Sequence, residues 1–586
     1  MLLCLVAPVR AQCAEPSPVK AAADDLLDRL VRQLRPFELR YLADWEVERL
    51  LTPAEKRIFS NELISFNVNV PVTLYVVRGA APKRDPFWLR ERSFAPSPVQ
   101  WRIDKTDLKI WQHDFDSGRV GLGVNSFGGG GSQYVVVLSP KKPGDALAIT
   151  NLYPAALRTT NLHPGVKIYV DREDIFTNVP PQFAGYTLLQ TSFSQRDDAR
   201  VRDVFRWTDY PAGDRPDQIV LTWNNDPQTS QTIQWRTANK IRTGIIRYAK
   251  KTDVEAKTLQ PIEVEARTQP LHTKLIVNDP VVRRHTVTLT NLEPGTTYRY
   301  AVGDGTPRNW SSTAEFTTAP AGEVPFSFIY MGDAQNGLYR WGALLRQAFV
   351  ASPDAAFYLI AGDIVDRGHE RDDWDTFFYN ARGVFDRRTF IPVLGNHDCL
   401  GGHPTLYLRF FSLPKNGPPK VEKERAYSYE YSNALFVVLD SNLAPEGQTA
   451  WLEEQLANSK ATWKFVSFHH PAYSSDPDRD NKKIRELWPP IFEKHHVDFV
   501  LQGHDHAYLR THPMRNGAPV DAAAKGTTYI VSVSGTKMYD QLRHDYTAIG
   551  MTNVPTYQVF QIAGKHLTYR ALDGDGKLRD QLTIDK

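Results

Sequence analysis

The chain has 586 residues, with 70 Lys and Arg against 67 Asp and Glu, for a formal net charge of +3 at pH 7. One hydrophobic core does not grow to that length, so three or four domains are expected, and 25 Tyr with 28 Phe argue against general disorder. Basic residues are scattered rather than clustered, which gives no support for a nucleic-acid-binding or polybasic membrane surface.

Residues 1–14, "MLLCLVAPVRAQCA", read as a signal peptide. Leu2 to Val9 are apolar, and small residues near Cys13 and Ala14 offer a cleavage site, although the usual basic residues at the start are missing. The run is too short for a transmembrane segment, so the expected location is periplasmic or extracellular. A lipoprotein reading of Cys13 is weaker, because Arg10-Ala11-Gln12 lacks the apolar residue expected upstream. Cleavage there leaves Cys399 as the single cysteine, and no internal disulfide.

Residues 20–58 are predicted helical. Leu26, Leu27, Leu30, Val31 and Leu34 fall at helical spacing, and Thr52-Pro53 reads as an N-cap followed by a first-turn proline. From 59 to 208, short segments such as "VPVTLYVV" and "QYVVVLS" predict a β-rich domain of unknown function. "GGGG" at 128–131 has no following Lys-Ser or Lys-Thr and reads as a hairpin tip rather than a phosphate loop. Residues 213–320 alternate apolar and polar, which places Trp223 and Trp235 on one buried side. Leu292, Pro294, Gly295 and Tyr298 resemble the turn and tyrosine of a fibronectin type III sandwich, whose expected role here is structural.

From 324 to 586 strands alternate with helical stretches, the pattern of a layered α/β domain. Five apolar runs of strand length each end in potential ligands. "FSFIYMGDAQ" ends at Asp333 and Gln335, "AAFYLIAGD" at Asp363, and "TFIPVLGNHD" at Asn396, His397 and Asp398. "WKFVSFHHP" ends at His469 and His470, and "VDFVLQGHDHAY" at His504 and His506. The clusters therefore fall at strand carboxyl ends, where α/β sheets place their ligands. Carboxylates, an amide oxygen and imidazoles, with no thiolate, suit Mn, Fe or Zn. Six or seven such groups exceed the needs of one ion. Two ions about 3.5–4 Å apart, bridged by a carboxylate, would use them and would clamp the oxygens of a phosphoryl transfer.

Asp333, Gly362-Asp363, "GNHD" at 395–398, His469 and "GHDH" at 503–506 resemble the calcineurin-like metallophosphoesterases. The preceding β-sandwich, "GHDHAYLR" and "GTTYIVSVSGT" make the resemblance to purple acid phosphatases more specific, over about 213–586. It implies a four-layer α/β fold, a β-sandwich flanked by helices, behind all-β domains. It also implies two divalent or mixed-valence ions and a small phosphate-ester substrate, hydrolysed by a metal-bound hydroxide. Asp363 would bridge the ions, Asp333 and His506 would complete the first site, and Asn396, His469 and His504 the second. His397 would stand beside the metals as a phosphate stabiliser or proton donor, a role suited to a group titrating near neutrality.

Two departures stand out. Purple enzymes carry their iron-binding tyrosine where this chain has Asp366, and Gln335 replaces the family's Gly or His. Gln335 either gives an amide-oxygen ligand or holds a metal-bound water. Arg367 in "GDIVDRG", which also resembles the protein serine/threonine phosphatases, either forks onto phosphate or pairs with Asp366 or another nearby acid. Arg479, Lys482 and Lys483 are candidates for binding an anionic substrate. The expected activity is phosphomonoester hydrolysis, with phosphodiester hydrolysis on the same core as the alternative. A third reading is an envelope- or polysaccharide-binding protein, acting through 59–208, with an inert phosphatase domain.

Overall fold

The computed structural model describes residues 16–79, 84–103, 106–129, 132–256, 260–521 and 526–586. The leader expected at 1–14 lies outside them. The chain divides into two compact units, Met1–Trp207 and Thr208–Lys586. Among the described residues no helix is long and apolar enough to cross a membrane.

In the first unit, four helices span Pro18–Gln33, Pro36–Arg40, Asp44–Leu50 and Pro53–Asn61. Thr52 Oγ1 accepts from Glu55 N at 3.2 Å while the Glu55 carboxylate accepts from Thr52 N at 2.7 Å. That reciprocal cap satisfies two donors at the helix start. The helices are tied to the β-rich part through Ser17 and Asp198 and through Asp44 and Arg202. The strands form a three-stranded and a seven-stranded sheet. Gly118–Leu122 lies in the first sheet and Val135–Pro140 in the second, so the glycine run between them links two sheets and does not cap a hairpin. Gly130 and Gly131 of that run lie outside the described residues.

The second unit begins with two four-stranded antiparallel sheets between Asp217 and Thr317. Trp235 is buried in their shared core with Ile233, Ile246 and Phe316. Trp223 does not share that side. It packs against Phe357, Tyr429 and Tyr431 of the α/β domain, because the chain leaves the sheet at Thr222 and turns outward. Arg236 reinforces the seam, donating to Asp217 and, at 2.8 Å, to the buried Asp375 of helix Arg371–Ala381. Arg236 and Asp375 are both buried, and each is satisfied by the other's charge. At the sandwich turn, Tyr298 Oη accepts from Glu293 N at 2.9 Å, and Gly295 has φ +62°.

His285 inside the sandwich carries a measurable consequence. Its two ring nitrogens lie 2.7 and 2.8 Å from Thr237 and Thr268 hydroxyls, and the ring stacks on Trp235. Burial, with Arg284 adjacent, lowers its pKa from 6.5 to about 4. Above the unfolded value both states are neutral. As pH falls from 6.5 to about 4 the unfolded chain binds a proton that the folded one refuses, and stability drops. The loss is on the order of 3 kcal/mol and levels off below that window. His285→Gln is expected to flatten the fall in urea midpoint between neutral and mildly acidic pH. An unchanged slope contradicts this assignment.

The α/β domain packs two mixed sheets face to face. One runs in the order Thr389–Pro392, Ala355–Ile360, Phe326–Met331, Thr556–Ala563, His566–Asp573, Leu578–Asp585, its first three strands parallel. The other has seven strands, including the parallel set Ala434–Val438, Trp463–Ser467, Phe499–Gln502 and Thr528–Val531. Phe328 of the first sheet meets Phe436 and Phe465 of the second edge to face, each at 5.2 Å. Such aromatic contacts lock the layers beyond simple area burial. Helices such as Leu338–Ala351 and Glu446–Asn458 cover the outer faces. The layered α/β architecture and the all-β region before it are thus both present.

Candidate metal centre

Two strands of one sheet and two of the other deliver the buried acids and imidazoles to a common edge. Asp333 and Asp363 follow Phe326–Met331 and Ala355–Ile360, while His469 and the His504/His506 pair follow Trp463–Ser467 and Phe499–Gln502. Asp363, His469 and His504 form one group of potential ligand atoms within 4.8 Å of one another, and Asp333, Asp363 and His506 form a second. Asp363 belongs to both. Asn396 Oδ1 lies 3.1 Å from His469 Nε2, and so borders the first of these groups.

The turns that present these side chains are strained. Asp333, Asp363, His504 and His506 have φ of 42°, 49°, 77° and 47°, the left-handed region that side chains other than glycine rarely adopt. Each costs on the order of 1–3 kcal/mol and persists only where the surroundings enforce it. The neighbouring glycines are forced by space. A Cβ on Gly395 would lie 2.1 Å from Asp363 N, and one on Gly503 would lie 2.4 Å from Asp333 Oδ2.

Backbone groups aim the ligands. His469 Nδ1 bonds the Ala361 carbonyl at 2.9 Å and His506 Nδ1 the Lys537 carbonyl at 2.9 Å, which turns each Nε2 inward. His504 N donates to Asp333 Oδ2 at 2.7 Å and His397 N to Asp363 Oδ1 at 2.8 Å. Burial raises the Asp333 carboxyl well above its usual range, with Asp363 adding to the rise against His469. Burial also opposes the charge on Asp363, yet His469 and His397 outweigh it and hold that carboxyl low. Against the same burial, Asp363 lifts His469 to about 9. Burial drives His506 down to about 4 and His504 lower still, so both offer neutral nitrogens.

The residues fit a pair of divalent cations. Asp333 Oδ1 and Gln335 Oε1 are buried at the centre and make no hydrogen bond among the described residues. Such groups are costly in a folded core unless something else satisfies them. Gln335 Nε2 sits 3.1 Å from His506 Nε2 and 3.3 Å from Asp363 Oδ2. A set of carboxylate oxygens, amide oxygens and imidazole nitrogens without thiolate suits Mn, Fe or Zn.

Other residues singled out in the sequence make contacts of their own. Arg367 spends its fork on Asp373, at 2.8 and 3.0 Å, rather than on Asp366. Asp366 is instead beside His397, whose Nδ1 lies 2.7 Å from the Asp366 carbonyl and 3.4 Å from its carboxylate. Asp398 is fully buried. It accepts from Ile364 N, Val365 N and Gly395 N, and so clamps the backbone of the Asp363 turn. The His470 ring lies 4.4 Å from that of His504, beside the centre. Asp505 anchors the loop after His469 by accepting from Ser474 Oγ and Ser475 N. Lys482 and Lys483 pair with Glu486 and Glu446, and Arg479 donates to the His504 carbonyl at 2.6 Å.

Tyr539 was not anticipated. Its ring lies 4.6 Å from His506, with the Arg479 guanidinium 5.1 Å and the Lys537 ammonium 5.0 Å from its centroid. The available signal was the Gly535-Thr536-Lys537 turn after the apolar strand Thr528–Val531, a sixth strand end at the same edge.

Residues 216–318 match the family profile of the purple acid phosphatase N-terminal domain, and 326–508 that of the calcineurin-like phosphoesterases. The chain has the purple-acid-phosphatase domain architecture. An uncharacterized protein of Mycobacterium tuberculosis is 26% identical over 352 residues, covering 52% of this chain and 63% of that protein. The chain therefore spans less than two thirds of that relative's length. The Fe(3+)-Zn(2+) purple acid phosphatase 12 of Arabidopsis thaliana is 25% identical over 328 residues, covering 52% of this chain and 67% of the plant protein. Among solved structures, the purple acid phosphatase from yellow lupin (Lupinus luteus) seeds superposes with a TM-score of 0.56 at 14% identity, covering 88% of this chain and 90% of that one. That likeness concerns the fold.

Proposed function

We propose that the protein is a metal-dependent phosphoric ester hydrolase acting on small phosphomonoesters. The observation that carries this reading is the shared position of Asp363 in two buried ligand groups. Asp333, Asp363 and His506, with Gln335 beside them, would hold one ion; Asp363, Asn396, His469 and His504 would hold the other. Paired cations of this kind supply charge neutralisation at phosphorus and activate water as a nucleophile. The chain's own residues do the rest. Asp398 and the Gly395 turn fix the bridging carboxylate, and the Ala361 and Lys537 carbonyls fix the imidazoles. His397, whose Nδ1–H donates to the Asp366 carbonyl, delivers a proton to the leaving oxygen from Nε2 when the ring is doubly protonated.

That role predicts a leaving-group effect. His397→Ala is expected to cut turnover of an alkyl phosphate by about 10²–10⁴-fold. The loss on p-nitrophenyl phosphate, whose leaving group needs little protonation, should be much smaller. Equal losses on both substrates would remove His397 from proton transfer.

Asp366 at the tyrosine position leads to a second expectation. The iron-loaded protein should show no tyrosinate-to-iron band in the visible spectrum. A band would mean that another tyrosine binds iron, and its loss in Tyr539→Phe would identify that residue. The sandwich, with Tyr298 bonded across its turn, is assigned a fibronectin type III-like structural role. Export belongs to the same proposal and rests on the apolar run Leu2–Val9.

A further inference from the structure

A cleft of about 880 Å³ opens between the β-sandwich and the α/β domain of the second unit. Its size lies within the range of small-molecule sites, about 300–1,000 Å³. It shares no residue with the metal centre. Its walls come from the turn after the sandwich's first strand, from Pro414–Asn416, from the edge strand Tyr427–Tyr431 and from the end of helix Glu446–Asn458. Asn458 and Ser459 precede the Trp463–Ser467 strand, whereas the candidate ligand His469 follows it, so the cleft lies at the other end of the layers.

The lining has an unusual chemistry. Asn224, Asn225, Gln228, Asn416, Gln455 and Asn458 contribute six carboxamides. The charged groups are few and opposed: Lys415 against Asp226 and Glu430, with Glu430 already accepting from Ser459 Oγ. One cation against two carboxylates does not suit a phosphate or other anion. Pro227, Pro414 and Leu435 give too little apolar wall for a lipid or an aromatic compound. Asn224 Oδ1, on the cleft side, is buried without a hydrogen-bond partner among the described residues.

We infer that this cleft binds a neutral oligosaccharide. Carboxamides donate and accept from one side chain, as adjacent sugar hydroxyls do, so a row of them matches a polyhydroxylated ligand without needing charge. Asn225, Gln228 and Asn458 have side-chain amides with no protein partner among the described residues, and they are placed to meet a ligand from the rim. Binding there would anchor the protein to a glycan while leaving the metal edge open to its own substrate.

Isothermal titration calorimetry of the full chain with maltohexaose, cellohexaose and chitohexaose tests this directly. Saturable binding of at least one hexasaccharide is expected. The Gln228→Ala/Asn458→Ala double variant should weaken it at least about tenfold. Turnover of p-nitrophenyl phosphate should be unchanged in the double variant. The inference is overturned by no saturable binding to any of the three sugars at millimolar concentration. It is equally overturned by undiminished binding in the double variant, or by stronger binding of a uronate hexasaccharide than of any neutral one.

Discussion

Asp363→Ala should remove both cations at once, while His506→Ala should remove only one. The difference follows from placement: Asp363 lies in both ligand groups, whereas His506 lies in the group with Asp333 alone. Metal analysis after loading and desalting is expected to return close to zero ions per chain for Asp363→Ala and about one for His506→Ala. Turnover of Asp363→Ala should fall by at least about 10³-fold, since both the nucleophile and the charge neutralisation are lost. The Asp363 turn should survive the change, because Asp398 holds Ile364 N, Val365 N and Gly395 N independently of the Asp363 side chain. Retention of one full ion by Asp363→Ala would show that the carboxylate does not bridge.

Gly503→Ala is expected to inactivate a folded protein by adding one methyl group. The new Cβ would stand 2.4 Å from Asp333 Oδ2 and 2.9 Å from the Ala361 carbonyl. Neither can retreat easily. Asp333 Oδ2 is fixed by His504 N, and the Ala361 carbonyl accepts from His469 Nδ1. The collision therefore moves Asp333, His469 and His504 together. A displacement of about 1 Å at a reacting centre can cost 10²-fold, and a loss of at least that size is expected here. Far-ultraviolet circular dichroism should stay close to wild type, which separates this outcome from misfolding. Unchanged turnover would mean that the edge between the two sheets is looser than drawn.

How much of this was legible in the sequence depends on the kind of interaction. The α/β layering was readable because its strands are uninterrupted apolar runs, such as "AAFYLI" and "WKFVS", ended by Gly-Asp or His-His. The helix start at Thr52 was readable because a cap is a local device. Facing relations were harder. Trp223 and Trp235 share an alternation pattern but enter different cores, since Trp223 lies one residue beyond the strand, where alternation no longer governs direction. The glycine run at 128–131 looked like a hairpin tip, because nothing local reveals that its flanking strands join different sheets.

At the metal centre the same division holds. Strand-end positions carry a sequence signature, but the distances between ends on two separate sheets do not. Asp398 and Asp505 sit among the candidate ligands in sequence, yet each is spent on backbone amides of a turn or loop. Arg367 could not be placed from sequence because Asp366 and Asp373 were both within its reach; the first turn of helix Arg371–Ala381 supplies the better fork. Tyr539 was missed because its partners, His506 and Arg479, are more than thirty residues away along the chain.

The proposed chemistry is metal-dependent hydrolysis of phosphate esters at the shared Asp363 centre. Hydrolysis of p-nitrophenyl phosphate and of bis(p-nitrophenyl) phosphate by the metal-stripped full chain, re-supplied separately with Mn, Zn, Fe or Mg, tests it most directly. Metal-dependent turnover is expected, faster on the monoester, with His504→Ala reducing it strongly. Two bound ions per chain with no turnover of either ester would contradict it.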